Sequence, residues 1–203
     1  MKLRPPDPPL SDGTVTLRPW NERDVDAIHA ACQDEEIAYW LPTLPVPYAR
    51  SDAREYVRKT KQSWRDGNDA FFAITTVATG DVVGSIGMRC HGDGRATVGY
   101  WVAREARGRG FATRGLKLIS NWALDVIGLD RLELIAEPEN EASCKVAERA
   151  GYRREGVLRS YLETSRRGRR DVVLFSLLPA DATTTASAAA PVERRRARGR
   201  RAR

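Results

Sequence analysis

Arg107-Gly108-Arg109-Gly110 is the stretch of this chain best suited to chemistry. The strand formers Val98-Gly99-Tyr100-Trp101-Val102-Ala103 lead into it, and Phe111-Ala112-Thr113 open an amphipathic helix behind it. A strand, a glycine turn and a helix N-terminus together make an anion site. Small residues let the backbone approach phosphates, and the unpaired N–H groups of the first helical turn point at the ligand. The stretch therefore reads as a cradle for the pyrophosphate of a nucleotide-like cofactor. Asn140-Glu141-Ala142-Ser143 opens a further helix, although Asn and Ser are also ordinary helix-cap residues. The only two histidines, His29 and His91, lack partners at metal-ligand spacing, so both read as structural and no metal is expected. Cys144, next to Ser143, reads as a packed thiol.

The elements around the loop decide which phosphate chemistry it serves. A first strand covers Val15 to Trp20, and Asn21 caps a helix to about Cys32 with Val25, Ile28 and His29 towards the inside. A short helix is expected from Asp34 to Trp40. Leu41 to Pro47 cannot be regular helix, because three prolines interrupt its backbone donors. Another helix starts at Ser51 and ends at Gly67. The period then changes to that of strands: Phe71–Val77, Val82–Arg89 and Arg95–Val102 form an antiparallel meander. After the glycine loop, a helix runs to about Ile127 and a strand covers Arg131–Ala136. A helical crossover of this kind joins parallel strands. A helix from Asn140 to Gly151 and two strands, Tyr152–Leu162 and Asp171–Leu178, complete the fold. A dinucleotide-binding unit would need its glycines inside a βαβ unit, with an acid at a strand end roughly 20 residues on. The meander before the loop, and Asp130 at a strand start, argue against it. The Walker pattern is absent.

The chain has 203 residues, enough for one domain, and no apolar run approaches a membrane span. Residues 1–13 are Pro-rich and read as a disordered leader, residues 14–179 as the domain, and residues 180–203 as a disordered Ala/Thr-rich and then Arg-rich tail. Of the net charge of +7, +6 belongs to the last 22 residues, 182–203, where seven arginines face only Glu193. The folded part is nearly neutral, so nucleic acid is not its obvious ligand. A solvated end is the plain reading of the tail, with a weak RNA or ribosome contact as its alternative. Three widely spaced cysteines suit a reducing cytoplasm.

Arg107-Gly108-Arg109-Gly110-Phe111-Ala112 fits the Arg/Gln-x-x-Gly-x-Gly/Ala signature, and the chain resembles the GNAT superfamily of acetyl-CoA-dependent N-acetyltransferases. Gly99-Tyr100-Trp101, Gly110-Phe111-Ala112-Thr113, Asn140-Glu141-Ala142-Ser143 and Ala150 to Leu158 further resemble the RimJ/RimL-like branch, which acetylates N-terminal alanines of ribosomal proteins. The resemblance implies an α/β (α+β) fold with a mixed, mostly antiparallel seven-stranded sheet flanked by helices. A splayed wedge would lie between the fourth and fifth strands, Arg95–Val102 and Arg131–Ala136. It also implies that acetyl-CoA lies in the wedge. Trp101, Val102 and Ala103 would meet the pantetheine, Arg107 to Thr113 would hold the pyrophosphate, and Asn140 and Ser143 would complete the cofactor site.

Transfer in this family is direct, within a ternary complex, so the amine must lose a proton and the thiolate must gain one. The tyrosine that many members use as the donor falls at Ala147. The resemblance implies Ser143 as donor instead, and Glu137 is the candidate base. Tyr39, Trp40 and the proline segment are candidates for the acceptor wall. A protein N-terminal amine is the expected acceptor. A small-molecule amine, such as an antibiotic or polyamine, and a non-catalytic CoA-binding scaffold are the alternatives. Monomer and homodimer both fit the sequence.

Overall fold

The computed structural model describes residues 2–186 of the chain. Eight strands form one sheet: β1 (Leu10–Ser11), β2 (Val15–Pro19), β3 (Asp69–Thr76), β4 (Val82–Cys90), β5 (Arg95–Val102), β6 (Arg131–Ala136), β7 (Arg153–Thr164) and β8 (Gly168–Leu177). Their order is β1-β2-β3-β4-β5-β6-β8-β7, and only β5 and β6 run parallel. The seven expected strands are all present, and β1 adds an eighth. Six helices flank the sheet: α1 (Val25–Ala31), α2 (Glu35–Trp40), α3 (Arg50–Asp66), α4 (Phe111–Asn121), α5 (Glu141–Arg149) and α6 (Pro179–Ala186).

Strand alternation builds two cores. Phe72 and Ile74 of β3 belong to the larger cluster, with Leu17, Ile86, Met88, Leu116, Ile119, Leu132 and Phe175. Ala73, between them, belongs to a second cluster with Trp20, Val25, Ile28, Val57 and Tyr48. Asn21 caps as expected, but what it caps is one 3₁₀ turn, Glu22–Asp24, that leads into α1: its side chain and that of Asp24 form a capping box. Helix α3 stops at Gly67, which has φ 74°. Helix α4 closes with a single π turn, Trp122–Val126, where Ile127 N–H donates to Trp122 O at 3.0 Å.

Both ends of the domain differ from the expected leader and tail. Leu3 is buried, its N–H donates to Gly67 O at 3.0 Å, and β1 pairs with β2. One apolar side chain with a core socket and a free sheet edge suffice to order a Pro-rich segment. Pro179 opens α6 rather than closing the fold, because proline is tolerated in a first helical turn. Asp181 ties α6 back to Arg153 at 2.7 Å. The arginine run of the tail lies outside the described residues. No helix among the described residues is long and apolar enough to cross a membrane.

The feature that positions the site is the junction of β5 and β6. They pair only at Arg95↔Arg131, Ala96↔Leu132 and Thr97↔Glu133. Beyond Thr97, β5 stays with β4 as far as Val102, while β6 follows β8 to Ala136. A wedge opens between two strands that remain anchored on their outer sides.

Candidate functional site

The exposed edge of β5 alternates. Ala103 N–H donates to Val83 O at 3.0 Å, so Tyr100 and Val102 turn their backbone groups towards the wedge. Ala103 was expected to meet the cofactor; its N–H is already used by the sheet and its side chain is buried. The edge leads to Gly108 and Gly110, with φ of 73° and 78°, conformations that L side chains rarely adopt. Gly110 caps α4 without a side chain, which leaves the N–H groups of Phe111, Ala112 and Thr113 turned outward.

Two cavities meet at this edge. The first, of about 570 Å³, is lined by Trp101, Val102, Arg107, Gly108, Gly110, Phe111, Ala112, Thr113, Asn140 and Ser143, with Glu36, Ile37, Trp40 and Leu41 of the α2 region opposite. It brings together most of the expected cofactor residues. The second, of about 590 Å³, is lined by Ile28, Tyr48, Asp52, Glu55, Tyr56, Phe71, Arg89, His91 and Gly99, among others. Leu41, Tyr100 and Trp101 line both. The proline segment, through Thr43, Leu44 and Pro45, walls the second cavity as expected, and Trp40 walls the first. His91, expected as a plain turn residue, faces the second cavity and bonds Thr97 Oγ1 at 2.8 Å.

Asn140 is the N-cap of α5: its Oδ1 accepts from Ser143 N–H at 3.0 Å. The Ser143 hydroxyl in turn accepts from Tyr100 O–H at 3.1 Å. Burial outweighs that hydrogen bond and pushes the Tyr100 hydroxyl up to about 12. Sequence reading placed Tyr100 in a motif without giving it a role.

Three expected residues are engaged elsewhere. Glu137, the candidate base, lines neither cavity and is 3% exposed. It receives Arg167 Nη1 at 2.7 Å, a second and shorter contact from Arg167 Nη2, and Arg170 Nε at 3.0 Å. Burial would raise its pKa, but the two arginines outweigh burial and hold it below the ordinary carboxylate value. A carboxylate so held is a poor base, and the two arginines tie it to the β7–β8 hairpin. Arg107 lines the cofactor cleft, yet its guanidinium pairs with Asp34 and, at 2.5 Å, with Glu36 Oε2, while its Nε donates to Val102 O at 3.3 Å. Arg109 does not line the cleft; it lies over the Phe111 ring at 4.9 Å.

Those arginines expose a device that sequence reading missed. Asp34 caps α2 and also receives Arg104 at 2.6 Å, so one buried carboxylate ties α2 to the run that precedes the glycine loop. Burial alone would lift Asp34; Arg104 and Arg107 more than offset it. The other end of the wall is held by the β7–β8 hairpin. Arg166 donates to the carbonyls of Ala38, Leu41 and Leu44, and Arg167 lies 4.0 Å over the Tyr39 ring. Among the described residues no group of three or more His, Cys, Asp or Glu is placed to hold a metal ion.

Residues 14–153 match the family described as the Acetyltransferase (GNAT) domain. The "Uncharacterized N-acetyltransferase p20" of Bacillus licheniformis is 30% identical over 166 residues, covering 81% of this chain and 92% of that protein. RimJ of Mycobacterium smegmatis, solved in complex with CoA-disulfide, superposes with a TM-score of 0.75 and 28% identity over 89% of this chain and 92% of its own. A GCN5-related N-acetyltransferase from Brucella melitensis gives 0.74 and 28% over 93% and 88%.

Proposed function

The chain belongs to the GNAT acetyltransferase family and is thus an acyltransferase, and on that premise we propose that it moves an acetyl group from acetyl-CoA to a protein N-terminal amine. The observation that carries this reading is the parting of β5 and β6 beyond Thr97 and Glu133. It leaves the N–H and C=O of Tyr100 and the N–H of Val102 for an extended pantetheine arm, the Val102 carbonyl being shared with Arg107. That edge runs from the glycine loop to the place where the two cavities meet.

The pyrophosphate sits at the start of α4, where outward N–H groups and the helix dipole favour negative charge. The thioester is carried to the Tyr100–Trp101 junction, and the amine reaches it from the second cavity. That shared boundary supports direct transfer, because reactants brought to one point gain much of the rate from proximity. The acceptor side carries both signs of charge, Asp52 and Glu55 beside Lys59 and Arg89, with Glu55 paired to Arg58. The resemblance of residues 99–101, 140–143 and 150–158 to the branch that acetylates ribosomal-protein N-termini supports a protein N-terminus as acceptor.

The test has two arms. Calorimetry measures acetyl-CoA binding, and thiol release is followed with peptides of different N-terminal residues and with a panel of small amines. Release with alanine-initiated peptides is expected. Release with small amines alone moves the acceptor to the small-molecule class. Binding with silence across both panels leaves a CoA-binding scaffold.

A further inference from the structure

Three residues line both cavities: Leu41, Tyr100 and Trp101. Tyr100 is the one among them with a hydroxyl. Its O–H donates to Ser143 Oγ at 3.1 Å, from β5 across to the first turn of α5. Because Ser143 accepts there, its own hydrogen is free to turn into the cofactor cleft. Ser143 is itself fixed, since its N–H donates to Asn140 Oδ1 at 3.0 Å. Partial burial keeps the phenol protonated at neutral pH. Two hydroxyls thus form a chain from the shared boundary into the cofactor cleft.

We propose that Tyr100 is a positioning and proton-supplying residue that acts through Ser143 to protonate the departing CoA thiolate. The proposal rests on the acetyltransferase reading above. In the tetrahedral adduct the C–S bond breaks and its electron pair goes to sulfur. Sulfur takes the Ser143 proton as Ser143 takes that of Tyr100. The phenolate oxygen regains a proton from the acceptor nitrogen, which must lose one to become the amide. Amine and thioester give amide and thiol, with no other reactant. Such a relay joins the two proton demands of the reaction at one residue, and it gives this chain a donor although Ala147 occupies the usual tyrosine position.

The experiment uses the full chain with saturating acetyl-CoA and hydroxylamine as acceptor, a small neutral nucleophile that needs no recognition by the acceptor cavity. Tyr100→Phe is expected to lower kcat about a hundredfold, within the range of lost general-acid catalysis. Its Kd for acetyl-CoA, by calorimetry, should stay within about twofold of wild type, as for a group used only in the transition state. Ser143→Ala should give a similar loss, Ser143→Thr should recover much of it, and the double variant should be no worse than the worse single one. Rates in mixtures of light and heavy water should give a curved proton inventory for wild type and a linear one for Tyr100→Phe. Unchanged kcat in Tyr100→Phe, or losses that multiply in the double variant, would overturn the relay. Weakened acetyl-CoA binding in Tyr100→Phe with an unaltered inventory would assign Tyr100 a packing role and overturn it equally. A wild type that does not bind acetyl-CoA refutes the underlying reading. One that binds it without releasing thiol to hydroxylamine refutes the relay alone.

Discussion

Gly110 shows how much one residue decides. A Cβ built there meets no atom within 4 Å, so nothing in the free protein excludes a side chain sterically. What requires glycine is φ 78° and the ligand expected in the open space. Asn and Asp both tolerate that backbone region better than other side chains, and they differ by one charge. Gly110→Asp should therefore weaken acetyl-CoA binding by roughly ten- to hundredfold through repulsion of the pyrophosphate, while Gly110→Asn loses much less. Calorimetry on both variants decides, and an unaltered Kd in Gly110→Asp would remove the loop from the cofactor site. This residue was legible in the sequence because a glycine turn before a helix is local chemistry. Asn140 and Ser143 were legible for the same reason. The engagement of Arg107 was not: its partner Asp34 lies 73 residues away, and no local pattern tells a phosphate arginine from an ion-paired one. The ion pairs of Glu137 were illegible on the same ground, since Arg167 reaches it from 30 residues downstream.

At the scale of elements, α2 and the β7–β8 hairpin form one wall with two fastenings, Asp34 at the start of α2 and the Arg166–Arg167 turn beyond its end. Helices and strands could be placed from periodicity and glycine stops, and α3, β5 and β6 fall where expected. The wall could not, because arginines bonded to the carbonyls of Ala38, Leu41 and Leu44 follow no period. Glu137 anchors this hairpin, and its removal tests the structural role. Glu137→Gln leaves Arg167 without its charge partner and Arg170 with Glu139 alone, at 3.4 Å. It should cost about 3 kcal/mol, the lower end for a broken buried pair since both arginines reach solvent. For a domain of this size that lowers Tm by roughly 6–12 °C in a thermal melt. A variant that melts like wild type but loses activity would restore Glu137 as a catalytic candidate. The pH dependence has a definite sign. The folded pKa of Glu137 lies below its ordinary 4.5, so the tie is fully present above that value and is lost as pH falls through the folded pKa. The Tm difference between wild type and Glu137→Gln should shrink in acid and hold steady at neutral pH.

Across the whole molecule, the two cavities meet beside the wedge, where Leu41, Tyr100 and Trp101 line both. In the proposed reaction that is where the acetyl group crosses, with cofactor and acceptor in separate cavities. The two ends of the chain stand in different relation to this frame. Composition suggested that both were unstructured, yet Leu3 is buried and α6 is tied by Asp181 to Arg153. Composition reports an average, whereas one buried side chain or one ion pair on a sheet edge can order a short segment. At the C-terminus α6 therefore carries the described structure past Pro179 to Ala186. Ending the chain after Ala186 removes the seven arginines and most of the net positive charge. The domain should keep its Tm and its acetyl-CoA affinity, because no element of either cavity is touched. Ending it after Leu178 also removes Asp181, whose side chain is 9% exposed, and Ala182, which packs on the main core. That variant should melt lower by several degrees, for a loss of about 1–2 kcal/mol. Equal melting of the two truncations would mean that α6 contributes nothing to the fold. A fall in Tm on removing only residues 187–203 would instead give the arginine run a structural place. Any RNA affinity of the full chain should vanish with that same cut and decline with added salt, as binding through phosphate neutralisation requires.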